Sequence, residues 1–269
     1  MLKDITLGQY FPGNSPVHRA DPRTKLILLM AYILILLFLT NSWICYSVVF
    51  LFLLVTILVS RIPFKAILKG FKPVLVILLF TAALNVFLTE GEPILPTFWI
   101  FTVTKEGLIR AAFMCARILM LLAGTFLLTY TTSPIALTDG LEALLSPLKL
   151  VRLPVHELSM MMCIALRFIP TLIEETDKII SAQKARGADF EGGNLIRRAK
   201  ALLPILVPLF ISAFRRADEL ATAMECRCYQ GGEGRTKMKM LRFKRVDMIS
   251  FVLLLIMIAA VSVLTYFGL

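Results

Sequence analysis

The chain has 269 residues, 58% of them hydrophobic, and a mean hydropathy of +0.81. A soluble domain of this size has no interior large enough for so much apolar surface, so the chain is an integral membrane protein. Its net charge is +11, but the basic residues flank apolar runs and do not interleave with aromatic side chains, which excludes a nucleic-acid partner.

The first twenty residues are polar and include Pro12, Gly13, Asn14, Ser15, Pro16 and Arg19. They do not resemble a cleavable signal peptide, so the spans themselves are expected to direct insertion. Uncharged apolar runs follow at 25–40 (after Lys25), 44–59 and 73–88, separated by a short turn at 40–43 and by a basic connector carrying Arg61, Lys65, Lys69 and Lys72. The acidic stretch around Glu90 and Glu92, with Pro93 and Pro96, reads as a loop, and the alternation after it allows a small hairpin. A fourth span is expected over 108–131 and a fifth over 249–267. Lys3, Arg19, Arg23 and Lys25 precede the first span, so the N-terminus and the basic connector are placed in the cytoplasm and the acidic loop outside.

These flanks divide the chain into a membrane part with four spans (1–132), a central segment (133–245) in or against the cytoplasm, and a C-terminal span (246–269). The central segment opens with Ser133 as a helix cap and Pro134 at the first helical position. Leu137, Leu141, Leu144, Leu145 and Leu148 form one stripe, with Asp139, Glu142 and Lys149 off it, the pattern of a helix lying on a surface. A long helix is expected from 155 to about 186. Its first half is apolar, and its second half carries the stripe Leu172, Ile173, Thr176, Ile179 and Ile180 with Glu174, Glu175, Asp177 and Lys178 opposite. Gly187 ends it. A second helix of the same design follows, again with prolines (Pro204 and Pro208), with Ile211, Phe214, Ala217, Leu220, Ala221 and Met224 on one side.

The two helices end alike. Displaced by 41 residues, Arg186 falls on Arg227, Ala182 on Ala223, Ser181 on Thr222 and Asp177 on Asp218. One arginine near a helix C-terminus ordinarily complements the helix dipole. A duplicated one points to a paired instrument for two similar partners, since a planar guanidinium docks well on carboxylates and carbonyls. The two tips are expected to stand together on the cytoplasmic side.

The segment Leu7 to Leu26, LGQYFPGNSPVHRADPRTKL, and the pair Ala185-Arg186-Gly187 and Cys226-Arg227-Cys228 resemble the transmembrane T component of energy-coupling factor transporters, of the shared type. The likeness covers nearly the whole chain. Its N-terminal signature falls on Gly8, Gln9, Tyr10, Pro12, Ser15, His18, Arg19, Asp21, Pro22, Arg23 and Lys25. The Cys-Arg-Cys triplet departs from the family's usual Ala-Arg-Gly at its flanks and keeps the arginine. The resemblance implies an all-α membrane scaffold of about five transmembrane helices with a cytoplasmic coupling domain, in the plasma membrane of a prokaryote. It implies that the ends of the long helices, Ala185, Arg186, Gly187, Cys226, Arg227 and Cys228, contact two ABC-type ATPase subunits. It further implies a substrate-binding S component as membrane partner and vitamin uptake as the process, with ATP and Mg2+ bound by the partner subunits and no cofactor by this chain.

The residues themselves are compatible with that reading. The Gly-rich stretch 230–236 lacks the Gly-Lys-Ser/Thr end of a P-loop and follows a helix instead of a strand. His18 and His156 are isolated, His156 being expected to cap its helix, and no nucleophile has a base at a recognisable spacing. No catalytic residue is therefore expected. The C-x-C of Cys226 and Cys228 has no second ligand pair, so no metal site is expected. A stand-alone secondary transporter or channel is the rival reading. It would need acidic residues at mid-membrane, and the expected spans carry Arg110, Arg117 and Asn85 instead. The arginines share one face of the fourth span and are expected to snorkel or to pair within the bundle. Asn85 is expected to bond a neighbouring helix. The six basic residues among 235–245 are expected to meet anionic lipid headgroups.

Overall fold

Prolines and short polar side chains start most of the helices. The computed structural model describes residues 10–40, 42–89, 104–147, 154–188, 190, 195–232 and 240–267. Gly8, Gln9, most of the expected hairpin and the basic residues 235–239 lie outside the described residues. In chain order the elements are α1 (Pro16–Arg19), α2 (Pro22–Phe38), α3 (Trp43–Ser60), α4 (Phe64–Phe71), a 3-10 turn (Lys72–Val74), α5 (Leu75–Leu88), α6 (Lys105–Thr131), α7 (Pro134–Leu145), α8 (Val155–Ala185), α9 (Leu195–Glu225) and α10 (Arg245–Tyr266). Among the described residues there is no strand, and the protein is an all-α integral membrane protein.

Among the described residues, five helical stretches are long and apolar enough to cross a membrane: α3, the run Phe64–Leu88, α6, α8 and α10. The membership differs from the expected five. The first expected span forms as α2, whose 17 residues reach about 26 Å at ~1.5 Å each, just short of a ~30 Å hydrocarbon core. α8, expected on the cytoplasmic side, is long and apolar enough to cross.

The described residues form two compact units, one within 10–141 together with 241–267 and the other within 142–240. In the first, α2, α3, α6 and α10 share a core built from Tyr32, Leu36, Val49, Leu53, Met120 and Met257, among others. Tyr32 Oη donates to the Met120 carbonyl at 3.1 Å, so the buried phenol is satisfied inside an apolar bundle. α5 packs against α6 at Gly107, where a Cβ would lie 2.9 Å from the carbonyl oxygen of Asn85 and 3.0 Å from that of Val86. Among the described residues, the expected interhelical bond of Asn85 is not made. Its Nδ2 donates to the Thr81 carbonyl of its own helix at 2.8 Å, one turn back, because that carbonyl is within reach without any neighbour.

The N-terminal signature folds into a fastening. Ser15 caps α1, its Oγ accepting from the His18 amide at 3.3 Å. The Ser15 hydroxyl also meets His18 Nδ1 at 2.7 Å, and His18 Nε2 lies 3.0 Å from the Phe11 carbonyl. A carbonyl only accepts, so Nε2 carries the proton and Nδ1 accepts from serine. Burial lowers the His18 pKa below its ordinary value, which matches this neutral tautomer. Phe11 N donates to the Tyr130 carbonyl at the end of α6 at 3.0 Å.

Asp21 caps α2, with Pro22 in its first turn and its carboxylate accepting from the Arg23 amide at 3.0 Å. Its own amide donates to Asp247 Oδ1 at 2.8 Å, and the second oxygen of Asp247 accepts from the Lys244 amide at 2.6 Å. Buried Lys25 donates to the Thr131 carbonyl at 2.9 Å and to Thr132 Oγ1 at 3.1 Å. Arg23 reaches the Leu241 carbonyl at 3.4 Å and lies over the Phe243 ring, 5.6 Å from its centroid. The Arg19 carbonyl accepts from Lys244 Nζ at 3.2 Å. One short polar stretch thus ties the start of α2 to the end of α6 and to the start of α10.

In the second unit α8 packs against α9. Ahead of α8, the carboxylate of Glu142 accepts from Ser159 Oγ at 2.9 Å and meets His156 Nδ1 at 3.1 Å. His156 therefore pairs with Glu142 and does not cap α8 as expected. On α7, Leu141 and Leu145 of the expected stripe are 43% and 36% exposed, whereas Thr138 and Glu142 are buried. The outward leucines leave an apolar stripe free to meet a surface, and Glu142 turns to Ser159 and His156. The N-cap expected at Ser133 is present, its Oγ accepting from the Ala136 amide at 3.3 Å.

Asp247 is the hinge of the fastening: it is almost wholly buried and accepts from two amides. Asp247→Ala is expected to cost about 2–4 kcal/mol, because two amides lose their acceptor. Asp247→Asn keeps one oxygen and is expected to cost less. Thermal or denaturant unfolding of the purified protein in detergent measures both, and an alanine variant as stable as the parent contradicts this account.

Candidate functional site

The two arginine-bearing ends have one backbone geometry. At the end of α8 the Arg186 amide bonds back to the Ala182 carbonyl at 3.2 Å, Gly187 N to Lys184 O at 3.0 Å and Ala188 N to Gln183 O at 3.0 Å. Gly187 has φ +86. At the end of α9 the Cys228 amide reaches Glu225 O at 2.8 Å and the Tyr229 amide reaches Met224 O at 3.1 Å, with Cys228 at φ +54. Both are Schellman closures: nested 6→1 and 5→2 hydrogen bonds around one left-handed residue. The arginine is the last helical-side residue in each, and the left-handed residue follows it. Arg186 and Arg227 are both exposed. Each guanidinium therefore leaves the helix at its negative end, where the chain turns sharply away.

The departure at Cys228 now has a physical content. Gly187 stands in open space and its positive φ has no steric penalty. Cys228 takes the same conformation with a Cβ, which costs an L-residue about 1 kcal/mol. Cys226 and Cys228 are exposed free thiols.

The helix pair sets where these ends lie. Glu175 on α8 accepts from Ser212 Oγ and from Arg216 Nη2 (2.9 Å) on α9. Gln183 Nε2 lies 3.5 Å from the Pro204 carbonyl. That carbonyl is free because residue 208, which would bond to it in a regular helix, is a proline with no N–H. Beyond α9, Gly232 sits on the ring of His156, close enough that a Cβ would collide with it. Residues that rise along α8 thus meet residues that fall along α9, so the pair is antiparallel. Arg227 lies near the start of α8, and Arg186 beside the first half of α9.

The expectation that the two tips stand together is therefore overturned. About 25 residues of α8 separate them, or roughly 40 Å at ~1.5 Å per residue. The reason is the short connection: α8 ends at Ala185 and α9 starts at Leu195, and consecutive helices joined so closely fold back on one another.

Between the helices, the contact on α9 runs through Ser212 and Arg216, while Ile211 and Phe214 of the apolar side are each 57% exposed. Leu206, Val207 and Phe210 extend this exposed apolar face. Glu175, expected on the outer polar side, turns inward to its two partners.

The other signature residues are placed differently from the tips. Ser15, Asp21 and Lys25 are buried in the fastening, and Pro22 opens α2 within it. Tyr10, Pro12 and Arg19 are exposed. The residues that sequence reasoning missed are Glu175, Ser212 and Arg216, which set the helix pair, and Asp247. Ser212 and Arg216 are four apart and so share a face, and an aspartate at the start of an apolar span is costly enough to signal a partner. Those were the available clues.

Comparison with known proteins agrees on one family. The family described as cobalt transport protein, CbiQ, matches residues 13–238. The energy-coupling factor transporter transmembrane protein EcfT of Clostridium kluyveri is 55% identical over 266 residues, 98% of each chain. That of Ruminiclostridium cellulolyticum is 55% identical over 249 residues, 93% of this chain and 92% of its own. That of Bacillus subtilis is 50% identical over 260 residues, 97% of each.

Two outcomes follow from this geometry. Gly187→Ala is expected to cost about 1 kcal/mol and Cys228→Gly to recover up to about 1 kcal/mol, opposite signs at the two matching positions. Unfolding of the two variants, with hydrogen exchange at the helix ends, checks this. Nitroxide labels at 186 and 227, with the remaining cysteines replaced, are expected roughly 40 Å apart by electron-spin distance measurement. A separation of about 20 Å or less would contradict the antiparallel pairing.

Proposed function

The chain belongs to the family of energy-coupling factor transporter transmembrane proteins, and from that premise we propose that it couples two cytoplasmic ABC-type ATPase subunits to a substrate-binding membrane subunit during vitamin uptake. One observation carries the reading: two exposed guanidinium tips of one backbone geometry stand at opposite ends of an antiparallel helix pair. A single binding groove cannot take both. Two like grooves, one on each of two like subunits, can. Each arginine then enters a groove lined with carboxylates or carbonyls, which its planar five-donor head matches.

The antiparallel register also constrains the topology. A helix pair crossing the bilayer would carry its two tips to opposite faces. For both tips to reach cytoplasmic subunits, α8 and α9 must lie along the membrane surface, although α8 is long and apolar enough to cross. Segment 133–245 is then the coupling domain and the N-terminus is cytoplasmic, as the basic flanks of the first spans favour. The exposed apolar face of α9 gives the substrate-binding subunit a surface to rest on. Rotation of the ATPases on nucleotide binding pushes the two tips, and the rigid pair transmits that motion. ATP and Mg2+ act on the partner subunits.

Arg186→Ala and Arg227→Ala are each expected to weaken co-purification of the ATPases by about thirtyfold, the effect of removing one member of a buried charge pair worth about 2 kcal/mol. The double variant is expected to lose assembly and uptake together. Normal assembly and uptake in the double variant would refute the proposal. Uptake by the purified chain alone in vesicles would establish the rival, a stand-alone transporter.

A further inference from the structure

Arg110 and Arg117 are seven residues apart on α6, a helix apolar and long enough to cross the membrane. At ~1.5 Å per residue, Arg117 lies about 18 Å in from the start of that helix. Both line one cavity of about 380 Å³, together with Thr40, Tyr46, Asn85, Phe113 and Met114. Arg117 is held in place by neutral groups only: its Nε donates to Tyr46 Oη at 2.9 Å and its Nη2 to the Thr40 carbonyl at 3.3 Å. Among the described residues neither guanidinium has a carboxylate within ion-pair distance, and none lines the cavity.

The polar balance of this cavity is one-sided. It presents two guanidinium groups, and the Tyr46 hydroxyl, which accepts from Arg117, keeps its own proton to donate. Asn85 already spends one amide hydrogen on Thr81, so its oxygen is the principal free acceptor. Two cations with no counter-charge among the described residues, on a helix long and apolar enough to cross a membrane, are costly, and a cavity that keeps them suits something negative. The fork geometry of arginine matches phosphate oxygens, several of which can be held at once. Arg110 is exposed and lies closer than Arg117 to the start of α6, the end nearer the membrane surface.

We propose that this cavity binds a phosphate-type oxyanion, drawn from a lipid headgroup at that surface. Arg110 captures the phosphate at the mouth, and Arg117, preset by Tyr46 and Thr40, holds it from within. The site is separate from the helix tips and requires neither the ATPases nor the substrate-binding subunit.

Trp43 provides a local reporter. Its ring stacks on Phe113, centroids 4.2 Å apart, and Phe113 lines the cavity. In a Trp99→Phe background it is the only tryptophan. The experiment titrates the purified full chain in neutral detergent with short-chain phosphatidylglycerol, with the matching phosphatidylcholine and with inorganic phosphate, reading Trp43 emission. A saturable change with phosphatidylglycerol at lower concentration than with phosphatidylcholine is expected. Arg110→Gln, which leaves both Arg117 hydrogen bonds intact, is expected to raise the midpoint about tenfold, and Arg117→Gln at least as much. A response to phosphate alone equal to that of the lipid assigns the site to the free anion; a response to lipid alone assigns it to the headgroup. Absence of a saturable response to either, or unchanged midpoints in both variants, overturns the proposal.

Discussion

The contact on which the rest depends is the one that sets α8 against α9. Glu175 accepts from Ser212 and from Arg216, and Gln183 approaches a carbonyl left free by Pro208. None of these bonds is individually strong, for a partly exposed ion pair contributes about 1 kcal/mol or less. Their value is in register. Sliding one helix by a turn would break the Glu175 contacts with Ser212 and Arg216 and the Gln183 contact together, so the set favours one register. The register in turn decides that the two arginine tips lie at opposite ends, and that decides what kind of partner they suit.

The N-terminal signature works differently from the tips, although both stand out in the sequence. Asp21, Lys25 and Asp247 are charged residues buried in an apolar bundle, and each finds backbone amides, carbonyls or hydroxyls. A buried polar group without a partner is expensive, so such a cluster tolerates few changes and fixes which helix ends meet. The signature is therefore a fastening of the scaffold. The tips, by contrast, spend little on folding and leave their side chains exposed.

The faces of the helices show that hydrophobic patterning alone does not mark the inside here. In a soluble protein an apolar stripe marks the inside. In a membrane scaffold lipid and partner subunits are apolar too, so the outside is as greasy as the core. Leu141, Leu145, Ile211 and Phe214 carry the stripes and are turned outward, while Thr138, Glu142, Ser212 and Arg216 are turned inward or between helices. The polar side chains have the partners that discriminate, and they decide the orientation. Of the two arginines expected to snorkel or to pair within the bundle, Arg117 bonds to Tyr46 and to the Thr40 carbonyl, and Arg110 is exposed.

By itself the sequence determined the helices, their caps and their ends: the break after Arg186, the Ser133 cap and the two matched arginine triplets are local, set by side chains within a few residues of one another. Glycine, proline and hydroxyl chemistry act at that range, so those features were legible. What only the tertiary structure decided is which residues meet across the chain: Asp21 with Asp247, Lys25 with Thr131, Glu175 with Arg216, and the distance between the two tips. Those depend on contacts between residues up to 226 positions apart, where hydrophobic pattern carries no register and only the pairing of specific polar groups does.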